Sequence, residues 1–167
     1  MESHKRNFLR IIASNRGIIN SLCNAYYAGS EDRKDVSQDI ILQLWKSFEG
    51  FRGESRVSTW IYKVSLNTIL TRVRNEKRKV VTESLSRSEL SFPNAKADDH
   101  TELLNIVLQS LKDLDKAIVI LYLEGHKNRE IARMLDLTTT NVTTRLSRVK
   151  AELKSKFGNR HYEFRQP

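Results

Sequence analysis

Side chains that can hydrogen-bond to nucleic-acid bases share one face of a stretch near the C-terminal end of the chain. At about 100° per residue, a helix over residues 138–153 places short polar side chains opposite its apolar stripe. That face holds Thr140, Thr144, Ser147 and Ala151, with Thr143 and Arg148 at its edges. Hydroxyl groups and a guanidinium on a helix can meet base edges in a DNA major groove. The residues alone leave two interpretations open: a DNA-reading face, and the solvated side of an ordinary αα-hairpin.

A short helix, a break and a longer helix position that face. Ile131, Ala132 and Leu135 give the first helix one apolar side, and residues 136–137 interrupt the pattern. Thr138 is a candidate N-cap for the second helix, because its hydroxyl can accept an unpaired backbone N–H. The second helix has a narrow apolar stripe made of Val142, Leu146, Val149 and Leu153. This order of elements is that of a helix-turn-helix.

The charge is basic and unevenly distributed. The formal net charge is +9 and the pI is about 9.8, which favours an acidic partner such as nucleic acid. Residues 1–80 carry a net charge of +7 and residues 108–167 one of +5, whereas residues 81–107 carry −3. Two basic blocks around an acidic spacer indicate two DNA-facing modules joined by a linker. A basic protein with a merely solvated surface is the alternative.

Residues that could support catalysis or bind a metal ion are few and scattered. Cys23 is the only cysteine, so the chain can form no internal disulfide and no cysteine-based metal site. His4, His100, His126 and His161 are far apart in the sequence, and no glycine-rich phosphate loop occurs. We therefore expect no enzyme activity, no cofactor and no bound metal.

Membrane-targeting signals are missing from the pattern. The first residues lack the uninterrupted apolar run of a signal peptide. No stretch approaches the roughly 18 apolar residues that a membrane span needs. We expect a cytoplasmic protein without membrane insertion.

Apolar residues recur at helical spacing through nearly the whole chain, without an alternating strand pattern of useful length. The sequence therefore predicts an all-α fold. The helices expected before residue 80 are a first one broken at Gly17 and ending near residue 27, a second over about 31–48, and a third capped by Ser58 or Thr59 and ending in the basic run 72–79. Residues 80–100 lose the periodicity and are predicted to form a flexible linker. A later helix should stop at Gly125, just before the helix-turn-helix.

Two sets of short motifs, each weak alone, occur in a fixed order around the expected linker. The first set comprises residues 35–39 (DVSQD), Leu42, Trp45, residues 51–55 (FRGES), residues 59–62 (TWIY) and Asn67; the second comprises residues 123–125 (LEG), 130–132 (EIA), 137–138 (LT), Val142 and residues 145–148 (RLSR). With these motifs the chain resembles bacterial RNA polymerase sigma factors, specifically the small extracytoplasmic-function (ECF) group. The resemblance implies two small helical domains: sigma region 2 over residues 1–80, a linker over 81–102, sigma region 4 over 103–157, and a tail over 158–167.

The resemblance implies that region 2 binds core RNA polymerase. The polymerase-binding candidates are Asp35, Gln38, Asp39, Leu42 and Trp45. Asp35 and Asp39 lie four residues apart, so both carboxylates project from one helix face and can pair with basic residues of a partner helix. For Trp45 itself, a place in the core is preferred.

The resemblance also implies that region 2 recognises and melts the minus-ten element. Melting needs a basic surface for the single strand and a pocket or platform for an unstacked base. The candidates are Arg52, Arg56, Lys63, Asn67, Arg72, Arg74 and Lys77. Asn67 is expected to hydrogen-bond to a flipped base, with a buried, capped asparagine as the alternative. Trp60 is expected in the core.

Region 4 implies that the second helix of the helix-turn-helix reads the minus-thirty-five element. The candidates for base contacts are Thr143, Thr144, Ser147 and Arg148, and those for phosphate contacts are Lys127, Arg129 and Arg133. Arg145 is expected in a structural role, with Glu130 or a phosphate as its partner. The chain departs from the family pattern at two places. Asp115 is expected to cap a helix that many relatives open with a proline, and Thr143 stands where many carry a basic residue.

The sequence therefore predicts a specificity subunit that binds core RNA polymerase and promoter DNA and directs promoter-specific transcription initiation. Relatives are often held inactive by an anti-sigma factor, which makes such a protein a further candidate partner. One alternative is a stand-alone helix-turn-helix repressor or activator with residues 1–80 as a dimerisation or effector domain. Another is a small nuclease, which would need clustered carboxylates that the sequence does not show.

Overall fold

The computed structural model describes residues 2–82 and 99–157, with side chains described over 2–80 and 104–156. Within these residues all regular structure is helical, which confirms the predicted all-α class. The helices are α1 (Glu2–Ser14), α2 (Arg16–Tyr26), α3 (Ser30–Phe48), α4 (Val57–Thr82), α5 (Asp99–Ser110), α6 (Asp113–Leu123), α7 (Asn128–Met134) and α8 (Thr139–Phe157). They fall into two compact units, α1–α4 and α5–α8. Most of the span predicted as a linker and the whole predicted tail, 158–167, lie outside the described residues.

The core of the first unit is built on α3. Val36, Ile40 and Leu44 repeat every four residues on this helix and are completely buried. They pack with apolar side chains of α2 and α4, including Ile19 and Ile69. The other sides of α3 remain exposed, and these sides carry the candidate polymerase-binding residues.

The break between α1 and α2 lies at Asn15. The sequence predicted it at Gly17, so that prediction is wrong. The Asn15 side chain donates a hydrogen bond to the Ile11 carbonyl at 2.9 Å, and the Asn15 backbone N–H also points at that carbonyl, at 3.2 Å. An asparagine amide competes with the backbone for hydrogen bonds, and this competition favours a helix end. Gly17 is tolerated inside the first turn of α2.

Helix α4 begins at Val57, so the prediction that Ser58 or Thr59 caps it is wrong. The backbone N–H of Trp60 donates to the Arg56 carbonyl at 3.1 Å, which places Ser58 and Thr59 inside the first turn. The preceding loop is held by Phe51, whose ring stacks on that of Trp60 with centroids 4.8 Å apart. Trp60 is buried, as predicted. The loop therefore has a fixed attachment to the start of α4.

The second unit has its core among α6, α7 and α8. Ile118 and Leu121 of α6 are buried with Val142 and Leu146 of α8, whereas Leu153, the last residue of the predicted stripe, is only partly covered. Helix α6 stops at the Glu124–Gly125 step, where Gly125 has a φ of +87°. A residue without a Cβ adopts this left-handed conformation without strain, so the predicted helix stop is confirmed.

The turn of the helix-turn-helix has the predicted position and cap. Asp136 adopts a positive φ of 55°, and the Leu137 N–H reaches back to the Ala132 carbonyl at 2.8 Å, which closes the end of α7. The Thr138 hydroxyl accepts the Asn141 backbone N–H at 3.1 Å, so Thr138 caps α8 as predicted. In the described part of the chain, none of the helices has the length and apolar character required to cross a bilayer.

Candidate polymerase and nucleic-acid interfaces

The five candidate polymerase-binding residues occupy one exposed side of α3. Asp35, Gln38 and Asp39 are exposed, and so are Leu42 and Trp45. At 100° per residue they lie within an arc of about 120°. We call this surface, defined by Asp35, Gln38, Asp39, Leu42 and Trp45, the α3 face. It combines two carboxylates with two large apolar side chains.

Trp45 is not a core residue, so that prediction is wrong. Its exposed fraction is 39%, and its ring packs against that of Phe8 with centroids 4.9 Å apart in a T-shaped arrangement. Helix α1 therefore covers part of the Trp45 side chain and leaves the rest exposed to solvent. The helical pattern of α3 placed Trp45 near its apolar side but could not show that α1 covers only part of it.

An apolar groove that the sequence did not predict lies beside the α3 face. It has a volume of about 350 Å³ and is bounded by Phe8 and Leu9 of α1 and by Ile41, Leu42 and Trp45 of α3. Leu9 is 55% exposed and Leu42 is 49% exposed. Exposed apolar patches of this kind mark interaction surfaces. Leu9 lies outside the buried stripe of α1, and that position was the signal available in the sequence.

The candidate minus-ten residues do not all share one surface. Lys63, Asn67, Arg74 and Lys77 are exposed and fall within an arc of about 80° on α4. We call this the α4 face. Arg52 and Arg56 are exposed on the loop that precedes the helix. Arg72, in contrast, lies about 180° around the helix from Lys63.

Asn67 is exposed, so the alternative of a buried asparagine is wrong. Its amide nitrogen donates to the Lys63 carbonyl at 2.8 Å, one helical turn earlier. Such a local bond orients the side chain along the surface of α4 and does not attach it to the core. Asn67 therefore sits on the α4 face between basic side chains.

Arg72 is held in an ion-pair network that joins three helices. Its Nη1 lies 2.5 Å from Asp39 Oδ2 on α3, and its Nε lies 2.9 Å from Glu76 Oε1 on α4. Tyr27, at the end of α2, donates its hydroxyl to Glu76 Oε2 at 3.4 Å, and the Arg72 guanidinium lies 5.8 Å from the centre of the Tyr27 ring. Burial lowers the pKa of Arg72, while the bonds to Glu76 and Asp39 raise it, and the net direction is upward.

On α8, all four candidate base-contacting residues are exposed, and one of them is hydrogen-bonded within the protein. Thr144, Ser147 and Arg148 are exposed, and within the described residues no hydrogen bond or ion pair occupies their side chains. The Thr143 hydroxyl donates to the Thr139 carbonyl at 2.9 Å and accepts from the Asn128 amide at 3.1 Å. Thr143 therefore fixes α8 to the start of α7. Asn128 carried no sequence pattern that pointed to this contact.

Arg145 has the predicted structural role, with a different partner. Its Nη1 lies 2.8 Å from Asp115 Oδ1 and its Nε donates to Asn141 Oδ1 at 2.7 Å. Glu130, the partner considered from sequence, instead accepts the Lys127 backbone N–H at 2.9 Å. The cap predicted for Asp115 is also wrong, since α6 begins at Asp113 after the N-cap position Lys112. The exposed candidates for phosphate contacts are Lys127, Arg129 and Arg133.

The comparisons with known proteins agree with this arrangement. Residues 11–79 match the family model described as Sigma-70 region 2, and residues 103–153 match Sigma-70, region 4. Both matches define a sigma-70 type subunit of RNA polymerase. The ECF RNA polymerase sigma-E factor of Haemophilus influenzae is 26% identical over 147 residues, covering 78% of this chain and 77% of the relative. That of Escherichia coli K12 is also 26% identical, covering 78% and 76%.

A longer relative and two solved structures extend the comparison. SigG of Mycobacterium tuberculosis is 25% identical, and the match covers 80% of this chain but 44% of SigG. The fold resembles that of RpoE from Bartonella quintana, solved with the anti-sigma factor NepR, at a TM-score of 0.69 and 16% identity over 93% of this chain and 96% of the other. It also resembles CnrH, solved with the cytosolic domain of CnrY, at a TM-score of 0.62 and 18% identity over 93% and 90%.

The chain belongs to the ECF group of sigma-70 factors. It therefore binds core RNA polymerase and promoter DNA and directs transcription initiation. This membership decides against the stand-alone repressor or activator considered from the sequence.

Proposed function

We propose that three surfaces divide the work of this sigma factor. The α3 face binds core polymerase, the α4 face with Arg52 and Arg56 binds and melts the minus-ten element, and α8 reads the minus-thirty-five element. The observation that carries this proposal is the separation of charge within the first unit. The α3 face carries Asp35 and Asp39, whereas the α4 face carries three basic side chains around Asn67.

The α3 face suits a basic protein helix. Asp35 and Asp39 offer carboxylates one turn apart, and Leu42 and Trp45 offer exposed apolar area on the same side. Interfaces with a central aromatic or aliphatic anchor and polar groups around it are the common pattern in protein association. A nucleic acid would be repelled by the two carboxylates.

The α4 face suits a polyanion with one base turned out of its stack. Lys63, Arg74 and Lys77 can neutralise phosphates, and the Asn67 amide can hydrogen-bond to the edge of an unpaired base. On α8, Thr144, Ser147 and Arg148 supply base contacts, and Lys127, Arg129 and Arg133 supply phosphate contacts. Thr143 acts through the position of α8.

We further propose that the chain has no catalytic activity of its own, so that phosphodiester chemistry belongs to the polymerase, and that it works in the cytoplasm. Two of its structural neighbours were solved with protein partners, one of which is called an anti-sigma factor. By analogy an anti-sigma factor is a proposed partner here. The apolar groove beside the α3 face is a suitable place for such a partner to compete with polymerase.

Reconstituted transcription tests the division of labour. Purified chain and core polymerase are combined on promoter fragments, and core affinity, DNA opening and initiation are measured separately for one variant of each surface. We expect Asp35→Asn to weaken core binding, Arg74→Gln to weaken opening and Arg148→Ala to weaken initiation that depends on the minus-thirty-five element. If the three variants lose the same step, the proposed division is wrong.

A further inference from the structure

The surroundings of Arg72 differ from those of the other candidate minus-ten residues. Its side chain points away from the α4 face and is 26% exposed, whereas the residues of the α4 face are exposed. Its guanidinium bonds to Asp39, a residue of the α3 face. We propose that Arg72 is a positioning residue for polymerase binding, which orients the Asp39 carboxylate, and not a contact to promoter DNA. This inference rests on the proposed role of the α3 face.

Contacts other than the one to Asp39 also fix the position of the Arg72 side chain. Its Nε donates a hydrogen bond to Glu76 Oε1 at 2.9 Å. The guanidinium lies over the Tyr27 ring, and the Tyr27 hydroxyl donates to the other oxygen of Glu76, Oε2. Tyr27 is only 9% exposed and marks the end of α2, so the network is anchored to the core of the unit. A guanidinium with a planar, rigid set of donors loses little further freedom when it bonds to a third group.

This geometry leaves Asp39 able to bind a partner. Arg72 bonds to Oδ2, and a carboxylate accepts hydrogen bonds on both oxygens, so Oδ1 remains for a cation of the partner. Asp39 is 51% exposed at its side chain. Holding it in one rotamer removes part of the entropy that binding would otherwise cost. Asp35, on the same face, has no comparable support among the described contacts.

A charge-matched pair of variants tests the proposal. Arg72→Gln and Arg74→Gln each remove one positive charge from the same helix, on opposite sides. We expect Arg72→Gln to weaken affinity for core polymerase roughly two- to fivefold, the size expected for one partly exposed ion pair, and to leave opening by the assembled holoenzyme unchanged. Arg74→Gln should weaken opening and leave core affinity unchanged.

A double-mutant cycle with Asp39→Asn separates positioning from general destabilisation. If Arg72 acts through Asp39, Arg72→Gln has no further effect on core affinity in the Asp39→Asn background. An equal loss in both backgrounds would show a merely structural Arg72 and overturn the proposal. A gain in core affinity would also overturn it, because Arg72 would then compete with polymerase for Asp39. A loss confined to opening would return Arg72 to the DNA contacts.

The single variants Asp35→Asn and Asp39→Asn distinguish a failure of the positioning role of Arg72 from a failure of the α3 face as the polymerase-binding surface. If Asp35→Asn and Asp39→Asn weaken core binding but Arg72→Gln does not, the positioning role alone fails. If neither aspartate variant weakens core binding, the proposed polymerase surface fails as well.

Discussion

Arg145 on α8 bonds to Asp115 in the first turn of α6, with Nη1 and Oδ1 2.8 Å apart. The side chains are 29% and 13% exposed, so this ion pair is among the more protected in the second unit. Asn141 takes the Nε of the same guanidinium. The pair fixes the N-terminal half of α8, the half that carries the exposed Thr144, against the core.

Removal of Arg145 should therefore destabilise the protein. We expect Arg145→Ala to lower the free energy of unfolding of the second unit by about 1–3 kcal/mol, because Asp115 would be left partly buried without its partner. Urea denaturation of the full chain followed by circular dichroism measures this change. Arg148→Ala is the matched control, since it removes the same type of side chain from an exposed position of α8. A stability loss as large in Arg148→Ala would contradict the assigned roles.

Asn67→Ala should impair promoter opening while leaving core binding intact. The asparagine is exposed and donates a hydrogen bond to the carbonyl one turn earlier, so we expect its replacement to leave the buried core unchanged. We expect opening to fall roughly five- to 150-fold, the loss of one good base contact being worth about 1–3 kcal/mol. Permanganate reactivity of unpaired thymines on a duplex promoter measures the extent of promoter opening.

A promoter fragment with a pre-melted minus-ten segment separates two explanations of such a defect. If Asn67 stabilises the flipped base, the variant stays defective in binding this fragment as well. Full activity on the pre-melted fragment would place Asn67 in the nucleation of melting, and unchanged opening on duplex DNA would remove it from the site.

Leu42→Ala should weaken association with core polymerase. Leu42 is 49% exposed in the centre of the α3 face, and truncation of an apolar anchor costs about 1–2 kcal/mol, or roughly a five- to thirtyfold loss of affinity. Val80→Ala is a suitable control, because Val80 is an exposed aliphatic residue near the end of α4, outside the α3 face. Fluorescence anisotropy with labelled protein and core polymerase gives both affinities. Equal affinities for the two variants would exclude Leu42 from the interface.

The thiol of Cys23 should give the fold a specific sensitivity to alkaline pH. Burial raises the pKa of Cys23 from its ordinary 9.0 to about 11, an effect that the nearby charge of Arg33 partly offsets. The folded state thus favours the neutral thiol. The contribution of Cys23 to the free energy of unfolding is therefore fully present below pH 9 and is lost as the pH rises toward 11. We expect the free energy of unfolding of the natural protein to fall by about 1–2 kcal/mol more than that of Cys23→Ala over this range. Urea titrations at a series of pH values measure the difference, and parallel curves would refute the expectation.

Most features that depend on local sequence could be predicted, although the helix break at Gly17 and the cap at Ser58 or Thr59 were wrong. Helical spacing identified the all-α class, and the chemistry of Thr138 and Gly125 identified a helix start and a helix stop. These signals act within one or two turns of the chain, where residue type largely determines the backbone. The family resemblance and the exposed side of α8 followed from patterns of the same short range.

Predictions that depended on which helix covers a residue were less successful. Trp45 was assigned to the core, because its spacing on α3 resembles that of a buried residue, yet α1 covers only part of its ring. Asp115 was expected at a helix cap and instead pairs with Arg145. For Arg72, which was grouped with DNA contacts, the sequence could not show the ion pair with Asp39 on which its proposed positioning role rests. Each case concerns a partner on another helix, which one-dimensional spacing does not encode.

Helix α4 has a length that matters for how its charges meet a promoter. At 1.5 Å per residue its 26 residues extend over about 39 Å, and Lys63 and Lys77 lie about 21 Å apart along it. Successive phosphates on one strand of a duplex rise by about 3.4 Å, so these two lysines are separated by about six nucleotides. One uninterrupted helix thus holds the first and last basic side chains of the α4 face, Lys63 and Lys77, at a fixed separation, and a strand that binds both must span that distance.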